Sequence, residues 1–293
     1  LLLRDYILRT EAMFNEAELF YGHGTSTPID DAIYLIFSTL DIDLSSDYER
    51  SGRILKSSEL AELDARVELR IRDRKPVAYI VGKAWFCGLV FSVDERVLIP
   101  RSPISELIQN RFEPMLKLPP TTILDLCCGS GCIGIACALE FAGARVDLSD
   151  ASSECLVVAE ENIGRYDLLD RAQCVNSDLF ASLSGRSYDL IVSNPPYVSM
   201  AEVESLPFEY HHEPRLALLS DEEGLAIPLE ILRQAETYLN PGGILVLEVG
   251  SGAEALCKRI PEVPFLWMEF AQGGDGVLVI RAEELHHYRE CFI

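Results

Sequence analysis

Two short segments of the chain carry residue types and spacings that point to a bound ligand. The first places Asp125 ahead of Gly129, Gly131 and Gly134, a D-x-x-x-G-x-G-x-x-G run after the apolar stretch that begins at Thr122. Glycines at this spacing let the backbone turn sharply and bring helix N-terminal N–H groups to a ligand's polar atoms. A dinucleotide would place its pyrophosphate there, and a carboxylate at Asp125 would repel it. Asp125 instead suits a ligand with an ammonium group and no phosphate, such as S-adenosylmethionine. The second segment is Asn194, Pro195, Pro196 and Tyr197, directly after the apolar run 189–193. Consecutive prolines stiffen an extended backbone and remove its N–H donors, which leaves carbonyls free to accept. The Asn194 side-chain oxygen and one such carbonyl can take both hydrogens of a planar NH₂ group, with Tyr197 offering a flat face to it. The lone pair of such a nitrogen is delocalised, so the nitrogen attacks poorly. Fixing both hydrogens favours a lone pair aimed at a sulfonium methyl, and positioning and electrostatics then do the catalysis. No charged general base is needed before transfer.

Further acids complete the pattern. Asp147 and Asp150 are both candidates to accept the hydroxyls of a ribose at the end of a second strand. Asp150 is preferred, because it follows Gly131 by 19 residues, close to the usual offset of about 20, and because Asp147 falls inside the strand. After a third strand, Asp178 can accept from an adenine amine and Leu179 can pack on the ring. The expected cofactor-facing set is Asp125, Cys127, Gly129, Gly131, Asp150, Asp178, Leu179 and Asn194. The expected catalytic set is Asn194, Pro195, Pro196 and Tyr197.

These residues need strands that end together. Apolar and β-branched runs predict strands near 122–126, 144–149, 172–176, 188–193, 243–249, 264–270 and 276–281. Helices fit at 104–112, 132–141, 152–163, 225–239 and 252–260. The alternation implies an α/β fold, a mostly parallel sheet with helices on both faces. The first 80 or so residues read as helices, one from Leu2 towards residue 20, one starting at Pro28, and one after Ser57. Residues 85–99 read as a β-hairpin with Asp94 and Glu95 at its turn. The expected organisation is a helical substrate-recognition domain at 1–84, a hairpin connector at 85–100 and a catalytic domain at 101–293.

Together the glycine run and Asn194–Tyr197 resemble class I S-adenosylmethionine-dependent methyltransferases acting on planar nitrogens. Arg74 to Gly82, Phe86 to Leu89 and Val97 to Arg101 look like the HemK-like protein-glutamine branch. This resemblance implies a Rossmann-like, seven-stranded sheet and a glutamine side-chain amide held by Asn194–Tyr197. It also implies that Gly129, Gly131 and Asp150 hold the cofactor and that Arg101 shapes the pocket. Segments 99–106, 209–215 and 270–276 look like the kind that methylates the third protein of the large ribosomal subunit. The alternatives are a release-factor Gly-Gly-Gln methyltransferase and a nucleic-acid amine methyltransferase.

Composition bears on those alternatives. The chain has 293 residues, with 47 acids against 25 bases, a net charge of −22. Residues 1–84 hold 15 acids and 11 bases, net −4, which leaves 32 and 14, net −18, in residues 85–293. Phosphate-neutralising surfaces are basic, so direct nucleic-acid or membrane partners are not expected; the partner that the resemblance implies is a basic ribosomal protein. Arg66, Arg70, Arg72, Arg74 and Lys75 form the only basic cluster, read as a solvated helix face. The nine cysteines fit no zinc spacing and read as reduced, buried thiols of a cytoplasmic protein. His211 and His212 read as part of a substrate-covering loop, and no metal is expected.

Overall fold

The N-terminal helices form where apolar residues recur at helical spacing and their ends are capped. Helix α1 (Leu3–Glu16) buries Leu3, Tyr6, Ile7 and Phe14 along one stripe. Helix α2 (Pro28–Leu40) begins at Thr27, whose hydroxyl accepts from the Asp30 N–H, with Pro28 where no N–H is needed. In α3 (Ser57–Arg72), Glu59 reaches back to accept from the Lys56 N–H. A short helix, α4 (Val77–Val81), follows. The computed structural model describes residues 1–50 and 52–292.

The basic cluster is not one solvated face. Arg70 is only 2% exposed and donates to Asp31 at 2.7 Å, to the Phe20 carbonyl at 2.8 Å and to Glu209 at 3.4 Å. Arg66 and Arg72 do pair with Glu62 and Glu68 one turn away on the same helix. Arg70 is buried because its partners lie on α2 and in a segment 139 residues further on.

The hairpin also differs from expectation. Strands β1 (Lys83–Phe86) and β2 (Leu89–Ser92) pair antiparallel around Cys87 and Gly88, not around Asp94 and Glu95. Cys87 and Gly88 both take positive φ, 52° and 75°, the handedness that matches strand twist in a two-residue turn. Asp94 instead closes a local loop onto Arg96.

The remainder alternates. It runs α5 (Ile104–Gln109), β3 (Thr122–Leu126), α6 (Cys132–Glu140), β4 (Arg145–Asp150), α7 (Ser153–Arg165), β5 (Ala172–Asn176) and β6 (Tyr188–Ser193). Then come α8 (Met200–Ser205), α9 (Ala226–Gln234), β7 (Leu239–Glu248), α10 (Ala253–Arg259), β8 (Leu266–Trp267), β9 (Val277–Arg281) and α11 (Ala282–His287). Seven strands pair in the order β5-β4-β3-β6-β7-β9-β8. The first five are parallel, and β9 runs antiparallel to both β7 and β8. The strand expected at 264–270 shrinks to two residues because β8 is an edge with one short ladder.

Successive strand residues face opposite sides. Ile123 and Val146 join an apolar cluster that runs through α6 and α7, the hairpin's Phe91, Ile99 beyond it, and on to Phe37 and Phe14. Leu124, Leu126, Ile191 and Leu247 pack on the other side against Leu229, Ile231 and Leu256. The helical segment therefore shares its core with one face of the sheet. Among the described residues no helix is long and apolar enough to cross a membrane.

Candidate active site

Strand order reverses between β3 and β6, and ligands of open α/β sheets bind at the carboxyl ends of strands at such a point. Both ligand-directed segments end up there. A cavity of about 450 Å³ opens between them, walled by Cys127, Gly129, Asp150, Asp178, Leu179, Asn194 and Pro196 among others. Asp125, Gly131, Pro195 and Tyr197 are not among its lining residues.

The glycine turn shows why each position has its residue type. Gly131 sits at φ +77°, and a Cβ there would lie 2.8 Å from Leu148 Cδ2. Gly134 lets α6 abut the sheet, since a Cβ would come within 2.9 Å of the Asp125 side chain. Asp125 lies on the α6 side of β3, beneath the turn. Its Oδ2 accepts from the Gly134 N–H at 2.7 Å, while Oδ1 is buried without a hydrogen bond. Burial pushes its pKa up to about 7, against the Gly134 hydrogen bond and helped by the charge of Asp150. In this arrangement Asp125 braces the turn from below.

The two ribose candidates separate cleanly. Asp150 lies on the cavity wall, where Oδ2 accepts from the Gly129 N–H at 3.0 Å and Oδ1 from the Ser152 N–H at 2.9 Å. Burial raises its pKa, and those backbone N–H groups oppose the rise. Each oxygen keeps a lone pair for a hydroxyl. Asp147 is committed elsewhere, to Arg186 at 2.6 Å, Tyr188 at 2.7 Å and Gln173 at 2.8 Å. Asp178 lies on the cavity wall and precedes a turn, with no helix for it to cap.

At the end of β6, the Ser193 hydroxyl donates to the Leu126 carbonyl at 2.7 Å and ties the two site strands together. Among the described residues the Asn194 and Pro195 carbonyls accept no hydrogen bond, and the Asn194 amide has no partner. Of these, Asn194 lines the cavity and presents its free acceptors there. Tyr197 turns the other way. Its hydroxyl donates to Glu248 Oε1 at 2.9 Å, and Ser102 donates to Oε2 of the same carboxylate at 2.6 Å. Burial pushes Glu248 up to about 7, with the Ser102 and Tyr197 hydrogen bonds opposing. Glu248 and Ser102 escaped the sequence reading. The one available signal was an acid ending an otherwise apolar strand, β7.

Comparison with known proteins gives the family and the fold. Residues 105–207 match the family model described as the methyltransferase small domain. The chain is 42% identical over 292 residues to the ribosomal protein uL3 glutamine methyltransferase of Francisella tularensis, covering 99% of this chain and 93% of that protein. It is 43% identical over 284 residues to the protein of the same name from Xanthomonas campestris, covering 96% and 91%. The chain belongs to this family of glutamine methyltransferases. The fold is also found in the catalytic domain of hMettl16, solved with a MAT2A 3′UTR hairpin. That match has a TM-score of 0.50 at 17% identity and covers 76% of this chain and 81% of that one. The resemblance read from the glycine turn and Asn194–Tyr197 is borne out at the level of family and fold.

In this methyltransferase the segment after Tyr197 is strapped to the N-terminal helices. Glu209 accepts from the Phe20 N–H at 2.9 Å and pairs with both Arg70, at 3.4 Å, and Arg74, at 3.7 Å. Glu213 takes both Arg101 nitrogens, at 2.6 and 2.7 Å, plus the Ile99 N–H at 3.1 Å. Burial would raise Glu213, but the two hydrogen bonds and the charge of Arg101 outweigh it, with His23 Nε2 3.6 Å away, and bring it down to about 2. The Tyr210 ring meets His23 at a tilt, 4.4 Å away, and has the Arg101 guanidinium 5.3 Å from its centroid. Arg101, Pro214, Leu216 and Ala217 then line the cavity. His212 bonds the Asp73 carbonyl at 2.7 Å, so this histidine pair belongs to the strap. Among the described residues no group of three His, Cys, Asp or Glu side chains is placed to hold a metal, and all nine cysteines are free.

Proposed function

We propose that this chain transfers a methyl group from S-adenosylmethionine to the side-chain amide nitrogen of a glutamine in ribosomal protein uL3. One observation carries the reading. Asn194, whose side-chain amide and carbonyl have no hydrogen-bond partner among the described residues, stands with Pro196 at the cavity that also holds the Gly129 turn and Asp150. The relatives' names supply the substrate.

The residues present fit the cofactor. A cavity wall that combines a half-buried carboxylate having spare lone pairs (Asp150), a second acid (Asp178) and apolar Leu179 and Cys127 suits ribose hydroxyls, an amine and a flat ring. Asp150, Asp178, Leu179 and the turn at Gly129 would hold it. When bound, it supplies a methyl group activated by a sulfonium. The chain's own work is positional. Asn194 and a following carbonyl accept both amide hydrogens and hold the nitrogen in line. The rigid prolines keep those acceptors fixed, so no reorganisation is needed as positive charge develops on the nitrogen. Its proton leaves after transfer.

Purified protein, tritiated S-adenosylmethionine and unmethylated uL3 test this, with a Gly-Gly-Gln release factor and RNA as comparators. The expected result is methyl-glutamine in uL3 by tandem mass spectrometry. Asn194→Ala should slow transfer roughly 100-fold or more. Label in the release factor or RNA alone, or an Asn194→Ala variant as fast as the native chain, overturns the reading.

A further inference from the structure

A second cavity, of about 350 Å³, lies where the helical segment meets the hairpin and connector. Tyr34, Leu44 and Trp85 give it an apolar, aromatic wall, His23 and Pro100 its inner side, and Asp30 a carboxylate at the rim. Pro100 lines both this cavity and the methyl-transfer cavity, and the next residue, Arg101, lines only the latter. His23 Nε2 is 3.6 Å from Glu213, which holds Arg101. The partition between the two cavities is therefore about one side chain thick.

We propose that this second cavity receives a lysine or arginine side chain of the substrate protein, at a position flanking the methylated glutamine. The inference rests on the glutamine-methyltransferase reading and adds a recognition subsite to it. The wall has the chemistry for such a side chain. Trp85 meets Tyr34 edge-on at 5.0 Å, and the Tyr34 hydroxyl is spent on the Lys83 carbonyl, so the Tyr34 ring is fixed and its hydroxyl does not compete for the rim carboxylate. A long methylene stem packs on such a surface while its cationic head stays at the wet rim. Asp30 is exposed there. The segment that supplies Leu44 adds Asp41, Asp43, Asp47 and Glu49 against a single base, Arg50, a net of −3 over residues 41–50. An anionic partner is repelled by this rim, and a basic rRNA-binding protein is attracted to it. An extended chain advances roughly 3.4 Å per residue, so neighbours of a glutamine held at Asn194 reach across a partition this thin.

The test measures steady-state methylation of uL3 at low salt by the native chain, Asp30→Asn and Asp30→Lys. Asp30 is exposed; both changes alter the bond its Oδ2 accepts from the Thr27 hydroxyl but keep its backbone N–H on Thr27, so both variants should fold. S-adenosylmethionine affinity serves as the control. The expected result is a KM for uL3 raised roughly threefold by Asp30→Asn and roughly tenfold by Asp30→Lys, with kcat and cofactor affinity within twofold. A panel of uL3 variants, each with one Lys or Arg near the glutamine changed to Ala, should contain one on which the native chain and Asp30→Lys become equal. An unchanged KM for Asp30→Lys, on a uL3 that the native chain methylates, overturns the subsite alone. A native chain that leaves uL3 unmethylated overturns the function and the subsite together.

Discussion

The Tyr197 hydroxyl donates to Glu248 at 2.9 Å, across 51 residues of sequence, and so joins the motif after β6 to the end of β7. The same carboxylate takes Ser102 from the connector. Glu248 is held at about 7 from an ordinary value of 4.5. Between those pH values the folded chain binds more protons than the unfolded one, so stability falls as pH rises through the window. Glu248→Gln removes that loss. It should gain about 3 kcal/mol on the native chain between pH 5 and pH 8, less whatever the amide loses in hydrogen bonding. Asp125, also pushed up to about 7, keeps part of the slope. Urea midpoints at the two pH values check this, and parallel slopes for both proteins refute it.

Asp150 and Asp147 make a matched pair on one strand. Asp150→Ala should weaken S-adenosylmethionine binding roughly 100-fold, as two charge-assisted hydrogen bonds at about 1.5 kcal/mol each imply. Asp147→Ala should leave affinity within twofold and lower stability instead, because its carboxylate serves Arg186 and Tyr188. Calorimetry on both variants decides, and the reverse ranking would sink the assignment.

Glu213 is held down to about 2 from 4.5, so its contribution to stability is full above pH 4.5 and is lost as pH falls through 2. Glu213→Gln leaves the Arg101 guanidinium without its counter-charge and should cost about 3 kcal/mol at pH 6. The gap should narrow steadily below pH 4.5. A gap of the same size at pH 3 would show that charge is not what holds the strap.

The acids concentrate in residues 85–293, net −18. If they steer a basic substrate, raising salt from 50 to 300 mM should lower kcat/KM for uL3 while kcat stays constant. Activity indifferent to ionic strength would reduce the charge to a solubility feature.

What the sequence determined by itself is local. The glycine run, the offset that sets Asp150 rather than Asp147 on the cavity wall and the place of Asn194–Tyr197 at a strand end all follow from spacing within one strand–turn unit, where backbone sterics dictate residue type. The seven strands were legible for the same reason, apart from the length of β8. The hairpin turn was misplaced because Cys87 is an unusual residue for positive φ. Tertiary structure alone decided the charges. Arg70 looked like one more surface base until Asp31 and Glu209 came together around it, and Glu248 looked like any acid until Tyr197 and Ser102 reached it. It also put Asp125 beneath the turn. A carboxylate's role depends on burial and on partners brought from distant segments, and neither is encoded in the residues beside it.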